Sequence, residues 1–134
     1  MRAFREKTAV QQGFVRHILT TDSKNNGAWE KAISKVGTYQ NGGYWGTPTG
    51  WYISAIYEVD REAAADMAKD YVQFLRNNMR PDGVTQAWEW FNPDSNTYRN
   101  DLYVASVALP YLSLKEFGLV SAQHPPETFP DAGR

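Results

Sequence analysis

Thr47-Pro48-Thr49-Gly50-Trp51-Tyr52-Ile53-Ser54-Ala55-Ile56-Tyr57-Glu58-Val59-Asp60, running on through Arg61-Glu62 to Asn77-Asn78, is the stretch whose reading decides the fold. Thr47 is a good helix N-cap residue, and Pro48 suits the first helical position, where a missing N–H costs nothing. A helix from there to Val59 would bury Trp51 or Tyr52 together with Ala55, Ile56 and Val59. Asp60 can cap a second helix, with Glu62 in its first turn, where the helix dipole favours an anion. Ala64, Met67, Ala68, Tyr71, Val72 and Leu75 then recur at helical spacing. Two helices joined this tightly must be antiparallel neighbours, an αα-hairpin.

Working outward, residues 1–20 are predicted helical, with Phe4, Phe14, Val15, Ile18 and Leu19 as the apolar members, and Ala28 to Lys35 as a further helical turn. Downstream, Pro81-Asp82-Gly83 is a turn, proline fixing φ and glycine allowing φ > 0. Val84 to Trp90 alternates as an extended segment, but nothing else in the chain reads as its partner strand. Asn92-Pro93-Asp94-Ser95-Asn96 is a second turn. A last helix runs from Asn100 to Phe117, with Pro110 inside it and Gly118 as its stop. Residues 119–134 read as an irregular tail. The expected architecture is a single all-α domain over residues 1–134, built of antiparallel helical hairpins with one short extended segment.

Composition narrows the function classes. The net charge of −1 gives no field to attract nucleic acid or an anionic membrane surface. Without cysteine there is neither disulfide nor thiolate metal site, and no His/Asp/Glu spacing suggests a metal or a cofactor. No apolar run reaches the roughly 20 residues of a membrane span. Met1-Arg2-Ala3-Phe4-Arg5 is not followed by a secretory apolar core, and the compartment stays open. Aromatic content is high, with five Trp, eight Tyr and six Phe, and many of these lie in two polar, Gly/Asn-containing stretches.

The first stretch is Tyr39-Gln40-Asn41-Gly42-Gly43-Tyr44-Trp45. Gly42 and Gly43 would let the backbone approach a ligand. Gln40 and Asn41 each offer a donor and an acceptor to vicinal hydroxyls, and the Tyr44 and Trp45 rings can stack on the C–H face of a pyranose. The plain alternative is a Gly-rich connector whose aromatics cover the core. The second stretch is Trp88-Glu89-Trp90-Phe91-Asn92-Pro93. A carboxylate set between large apolar rings is partly desolvated, which suits acid/base work. Its alternative is a surface Glu whose neighbours pack inward. His17 and His124 read as solvent-facing or satisfied residues.

Gln40-Asn41-Gly42-Gly43-x-Trp45, followed by a helix and then by Glu89-x-Phe91-Asn92-Pro93-x-Ser95, resembles the C-terminal part of six-hairpin (α/α)6 toroid glycosidases. The similar groups are oligosaccharide glucosidases, trehalases and neutral invertases. The resemblance spans roughly residues 37–118. It implies that Glu89 is the general base of an inverting hydrolysis of an α-linked glycoside. It also implies that Gln40, Asn41, Gly42, Gly43, Tyr44, Trp45, Trp88 and Trp90 contact the sugar. Two departures stand out. Asn96 occupies a position where those families place glycine, though Asn tolerates left-handed backbone. A toroid of six hairpins also needs more helices than this chain has room for, and the family's acid lies upstream of the Gln-Asn-Gly-Gly loop. The chain is therefore expected to be the C-terminal portion of a larger toroid and, by itself, a partial glycoside hydrolase. Helical faces that would meet the missing hairpins should be left apolar, giving a homo-oligomer or association with the rest of the toroid. The competing expectations are a non-catalytic carbohydrate-binding module and a helical interaction module.

Overall fold

The computed structural model describes residues 9–18 and 34–118. They form a five-stranded antiparallel sheet and three α-helices, which overturns the all-α expectation and with it the partial toroid. The elements are β1 (Val10–Gln11), β2 (Phe14–Arg16), β3 (Tyr44–Trp45), α1 (Thr49–Tyr57), α2 (Arg61–Asn77), β4 (Trp90–Asn92), a 3-10 turn at Pro93–Ser95, β5 (Thr97–Arg99) and α3 (Ala105–Glu116). Strand order is β1-β2-β3-β4-β5.

The first correction falls on the predicted N-terminal helix, of which residues 1–8, 19 and 20 lie outside the described residues. Residues 10–16 are a β-hairpin. Gln12 and Gly13 have φ of 53° and 77°, a two-residue turn whose twist matches that of paired strands. Val10 pairs with Val15 and Gln11 with Phe14. A glycine inside a helix would have cost about 1 kcal/mol, whereas the turn requires it. The second correction concerns the extended segment. Val84 to Glu89 holds only an isolated bridge, Thr85 to Met79, while Trp90–Asn92 is the strand, with partners on both sides. Of the helical turn predicted for Ala28 to Lys35, residues 28–33 lie outside the described residues and Ser34 and Lys35 are not helical; the tail at 119–134 also lies outside the described residues.

The helical hairpin was read correctly in outline and wrongly at its start. Thr47 does not cap α1; the N-cap position is Pro48 and makes no side-chain cap. Thr49 instead donates its hydroxyl to the Gly13 carbonyl at 2.8 Å, tying the helix start to the β1–β2 turn. Of the pair Trp51 or Tyr52 it is Tyr52 that packs on the core, Trp51 being 63% exposed; Ile56 is buried as expected, whereas Ala55 and Val59 are exposed. Asp60 caps α2 as expected, accepting from the Ala63 N–H at 3.0 Å. α3 starts at Ala105 rather than Asn100, because Asn100 and Leu102 take left-handed φ of 50° and 61° in a turn. Asn96 has φ 47° and ψ 42°, the left-handed geometry that lets Asn stand where glycine would be usual.

The core lies between the sheet and the helices and is largely aromatic. Arg16 pairs with Tyr44, Tyr44 with Phe91 and Phe91 with Tyr98, a row of side chains on one sheet face. Phe91 is fully buried, its ring stacked on Phe74 of α2 at 5.2 Å and on Tyr98 at 5.6 Å. Phe14 meets it edge-on at 5.0 Å. Tyr71 of α2 donates its hydroxyl to the Ser106 carbonyl, and burial pushes its phenol well above the usual tyrosine range. α1 and α3 pack together, closed at one end by Tyr57 stacked on Phe117 at 4.4 Å. Trp51 of α1, Leu112 of α3 and Val104 just before α3 are all exposed.

Candidate functional site

Side chains of consecutive strand residues point to opposite faces of a sheet. Tyr44 and Trp45 are such neighbours, so they cannot both face one ligand. Tyr44 turns into the core: it is 3% exposed, stacked on Phe91, with the Arg16 guanidinium 4.3 Å over its ring. Desolvation raises its phenol above the ordinary value, opposed by the charge of Arg16. As a sugar contact Tyr44 is corrected to a core residue.

Trp45 lies on the other face, paired with Trp90 across the sheet. Tyr39 packs edge-on against both, at 4.9 Å and 6.5 Å, and His17 stacks on Trp45 at 5.0 Å with an interplanar angle of 11°. These four rings form a second aromatic layer. Within it Trp45 and Trp90 are buried, and Tyr39 is 41% exposed. The tryptophans support the layer, and Tyr39 and His17 are its exposed members.

The Gln-Asn-Gly-Gly loop is built by its own backbone. Asn41 N–H donates to the Thr38 carbonyl at 2.9 Å, and Gly37 N–H donates to the Asn41 carbonyl at 2.8 Å. The Asn41 amide donates to the Ser34 carbonyl at 2.7 Å, and the residue is 2% exposed. Asn92 of β4 donates to the Gly37 carbonyl at 2.7 Å and ties the loop to the sheet. A Cβ on Gly43 would fall 2.5 Å from the Tyr39 carbonyl oxygen and 2.9 Å from the Trp90 ring. The glycine serves a close approach to the Tyr39 backbone and to the Trp90 ring. Gly42 is buried at φ 107°. Of the loop's candidates only Gln40 is exposed, beside Tyr39.

Glu89 sits at a bend one residue before β4 and is half-buried. Its N–H is shared between the carbonyls of Arg99 and Asn100. Its Oε2 accepts from the Asn100 side-chain amide. Trp88 is half-buried against Tyr98 at 5.4 Å, and its indole N–H has no hydrogen-bond partner among the described residues. The expected alternation of 84, 86, 88 and 90 on one face therefore fails at the bend: Trp88 packs with the Tyr98 side of the sheet and Trp90 with the Tyr39 layer.

The structure thus leaves Tyr39 and Gln40 exposed beside the buried Trp45–Trp90 pair and, one residue before Trp90 in the chain, holds the half-buried Glu89 against the exposed Asn100. It takes Asn41, Gly42, Gly43 and Tyr44 into the scaffold. Asn100 and Tyr39 were missed as candidates. Both hold left-handed backbone, φ 50° and 47°, a conformation that Asn tolerates but that costs Tyr39 about 1–2 kcal/mol. Such outliers concentrate at functional sites. The sequence carried only a weak sign of them, an Asn-Asp pair after a strand and a Tyr before Gln-Asn-Gly-Gly.

His17 gives this layer a pH dependence. Partial desolvation against Trp45 lowers its pKa below 6.5. The unfolded chain then binds more protons than the folded one just below pH 6.5, so the contribution is complete above that value and is lost as pH falls through the window beneath it. Urea midpoints measured from about pH 7.5 down to about pH 5.5 are expected to fall in the wild type and to fall less in His17→Gln. Identical slopes would show that His17 is not the source.

No described protein family, curated protein sequence or solved structure matches this chain.

Proposed function

We propose that this chain recognises carbohydrate through the Tyr39-Gln40 loop and the Glu89–Asn100 pair. The observation that carries the reading is the half-buried Glu89 carboxylate held by the Asn100 amide, one residue along the chain from the Trp45–Trp90–Tyr39 layer. A carboxylate and an amide fixed against each other present acceptors and a donor at short, constant spacing, the pattern that adjacent sugar hydroxyls match. The exposed Tyr39 ring offers an apolar face for the C–H side of a pyranose with a wet hydroxyl at its tip. Gln40 adds one more donor and acceptor at the rim.

The same pair supports a hydrolytic form of the reading. With Oε2 engaged by Asn100, Oε1 has no protein partner among the described residues and is the oxygen left to hold a water and accept its proton. Inverting hydrolysis also needs an acid about 6.5–9.5 Å away across the scissile bond. Binding and turnover are therefore measured separately.

Calorimetric titration with maltohexaose and with trehalose is expected to detect saturable binding. Tyr39→Ala should weaken it about 10-fold, the loss of a stacking platform and its buried apolar area. Glu89→Gln keeps the shape and most of the hydrogen-bonding reach, so binding should change only about 2–5-fold, whereas any turnover should fall at least about 100-fold. Unaltered affinity in Tyr39→Ala would remove the recognition reading. Unaltered turnover in Glu89→Gln would remove the hydrolytic form alone.

A further inference from the structure

The β1–β2 hairpin and α2 enclose a groove of about 1070 Å³ whose lining includes no residue of the Tyr39–Glu89 face. Its floor is apolar, from Met67, Phe74 and Tyr98. One wall comes from the last turns of α2 and carries Gln73, Asn77 and Asn78; the other comes from the hairpin and carries Gln11 and Gln12. The hairpin is seated there by a backbone approach so close that a Cβ on Gly13 would lie 2.3 Å from the Tyr71 Cβ. Gln12, exposed at the groove, holds left-handed φ of 53° in the same turn.

The chemistry of the walls selects the ligand. Lys69 bonds Asp66 at 3.3 Å, which leaves Asp70 as the uncompensated charge of the lining. An anion would meet that carboxylate, and no group of three His, Cys, Asp or Glu able to hold a metal occurs among the described residues. What dominates is the side-chain amide, which offers donors and an acceptor together. Gln73 Nε2 donates to Asn77 Oδ1 at 2.7 Å, so the Gln73 carbonyl oxygen and the Asn77 NH₂ group are oriented as an acceptor and a donor pair. Asn78 spends its NH₂ on the Phe74 carbonyl at 2.8 Å and keeps its own oxygen as an acceptor. A ligand that meets alternating donors and acceptors over an apolar floor, without charge, is a polyhydroxylated chain with apolar C–H faces. The groove volume is slightly above the about 300–1,000 Å³ of ordinary ligand sites, and so fits several rings rather than one.

We propose that the groove between the β1–β2 hairpin and α2 is a binding site for a neutral oligosaccharide chain. It stands independently of the Glu89 face.

The test is an NMR titration of the ¹⁵N-labelled chain with maltohexaose and cellohexaose, followed at side-chain amides, with a heparin-derived hexasaccharide as the anionic arm and a lysine-rich peptide as the cationic one. A neutral hexasaccharide is expected to shift Gln73, Asn77 and Asn78 in one saturable curve. The double variant Gln73→Ala, Asn77→Ala, both exposed on α2, should weaken that curve at least about 10-fold through two lost hydrogen bonds. Asn77→Trp, which fills the groove from an exposed helical position, should abolish it, and retained backbone dispersion in both variants shows that the fold survives. Groove shifts with Asn100 unmoved would support this site while removing the Glu89 reading. Asn100 shifts with the groove amides unmoved at about 10 mM sugar would overturn this site and leave the other. Groove shifts produced only by the heparin fragment or only by the peptide would overturn the assignment to a neutral saccharide.

Discussion

Phe91→Ala is expected to lower the unfolding free energy by about 3–5 kcal/mol, the range for truncating a fully buried phenylalanine. Phe91 is the centre of the core rather than one of its members. Its ring has 0% exposure and is contacted by Phe14, Tyr44, Phe74 and Tyr98, with centroid separations of 5.0, 5.8, 5.2 and 5.6 Å. Those four rings come from β2, β3, α2 and β5, so each neighbour is anchored in a different element and none can move to fill the hole without disturbing its own strand or helix. The cavity term therefore adds to the lost transfer free energy. A domain of this size has about 5–15 kcal/mol of total stability, so the variant stands near the limit of folding. Phe91→Leu, which keeps most of the volume, should cost about 1–1.5 kcal/mol. Urea denaturation checks both: the midpoint should move strongly in Phe91→Ala with an unchanged slope. A loss under about 1 kcal/mol would show that the aromatic row is not the centre of the core.

Gly13→Ala is the second large effect, on the order of 3–4 kcal/mol. Two costs coincide at this position. Its φ of +77° is a conformation that L residues enter at about 1–2 kcal/mol. The added methyl would also lie 2.3 Å from the Tyr71 Cβ and 2.5 Å from its Cα. The obstacle is helix backbone, so no rotamer change relieves it; the hairpin must lift from α2. Lifting it also breaks the 2.8 Å bond from the Thr49 hydroxyl to the Gly13 carbonyl and opens one wall of the groove. Gly83→Ala is the control, because Gly83 has φ +81° but nothing within 4 Å of its added Cβ. That variant should lose only the conformational part, about 1 kcal/mol. Equal losses at the two glycines would mean that the hairpin is not clamped on the helix.

What the sequence made legible follows from the range of each signal. α2 is long, capped by Asp60 through Ala63 and apolar at helical spacing, so local information suffices to find it. The left-handed geometry of Asn96 was anticipated only through the resemblance, because Asn stands there where those families place glycine. The sheet was not readable because its strands have two or three residues, too few to display a period of two. Their pairing is also remote: Trp45 meets Trp90 and Tyr44 meets Phe91 across the whole helical hairpin. The one local clue was Gln12-Gly13 between two short apolar pairs, and the helical reading passed over it. The misplacement of the site has the same origin. Once Tyr44 and Trp45 lie on a strand they must part, one to the core and one to the outer layer, and the motif's apparent cluster of ring contacts divides into Tyr39 outside and Tyr44 inside.

The recognition claim is tested most directly at the Asn100 and Gln40 side-chain amides during titration of the labelled chain with maltohexaose. Both NH₂ pairs should shift along one saturable curve, and Tyr39→Ala should move that curve to about 10-fold higher sugar while leaving the backbone spectrum intact. If both pairs stay fixed up to about 10 mM maltohexaose, the Tyr39–Glu89–Asn100 face does not bind carbohydrate and the proposed function is wrong.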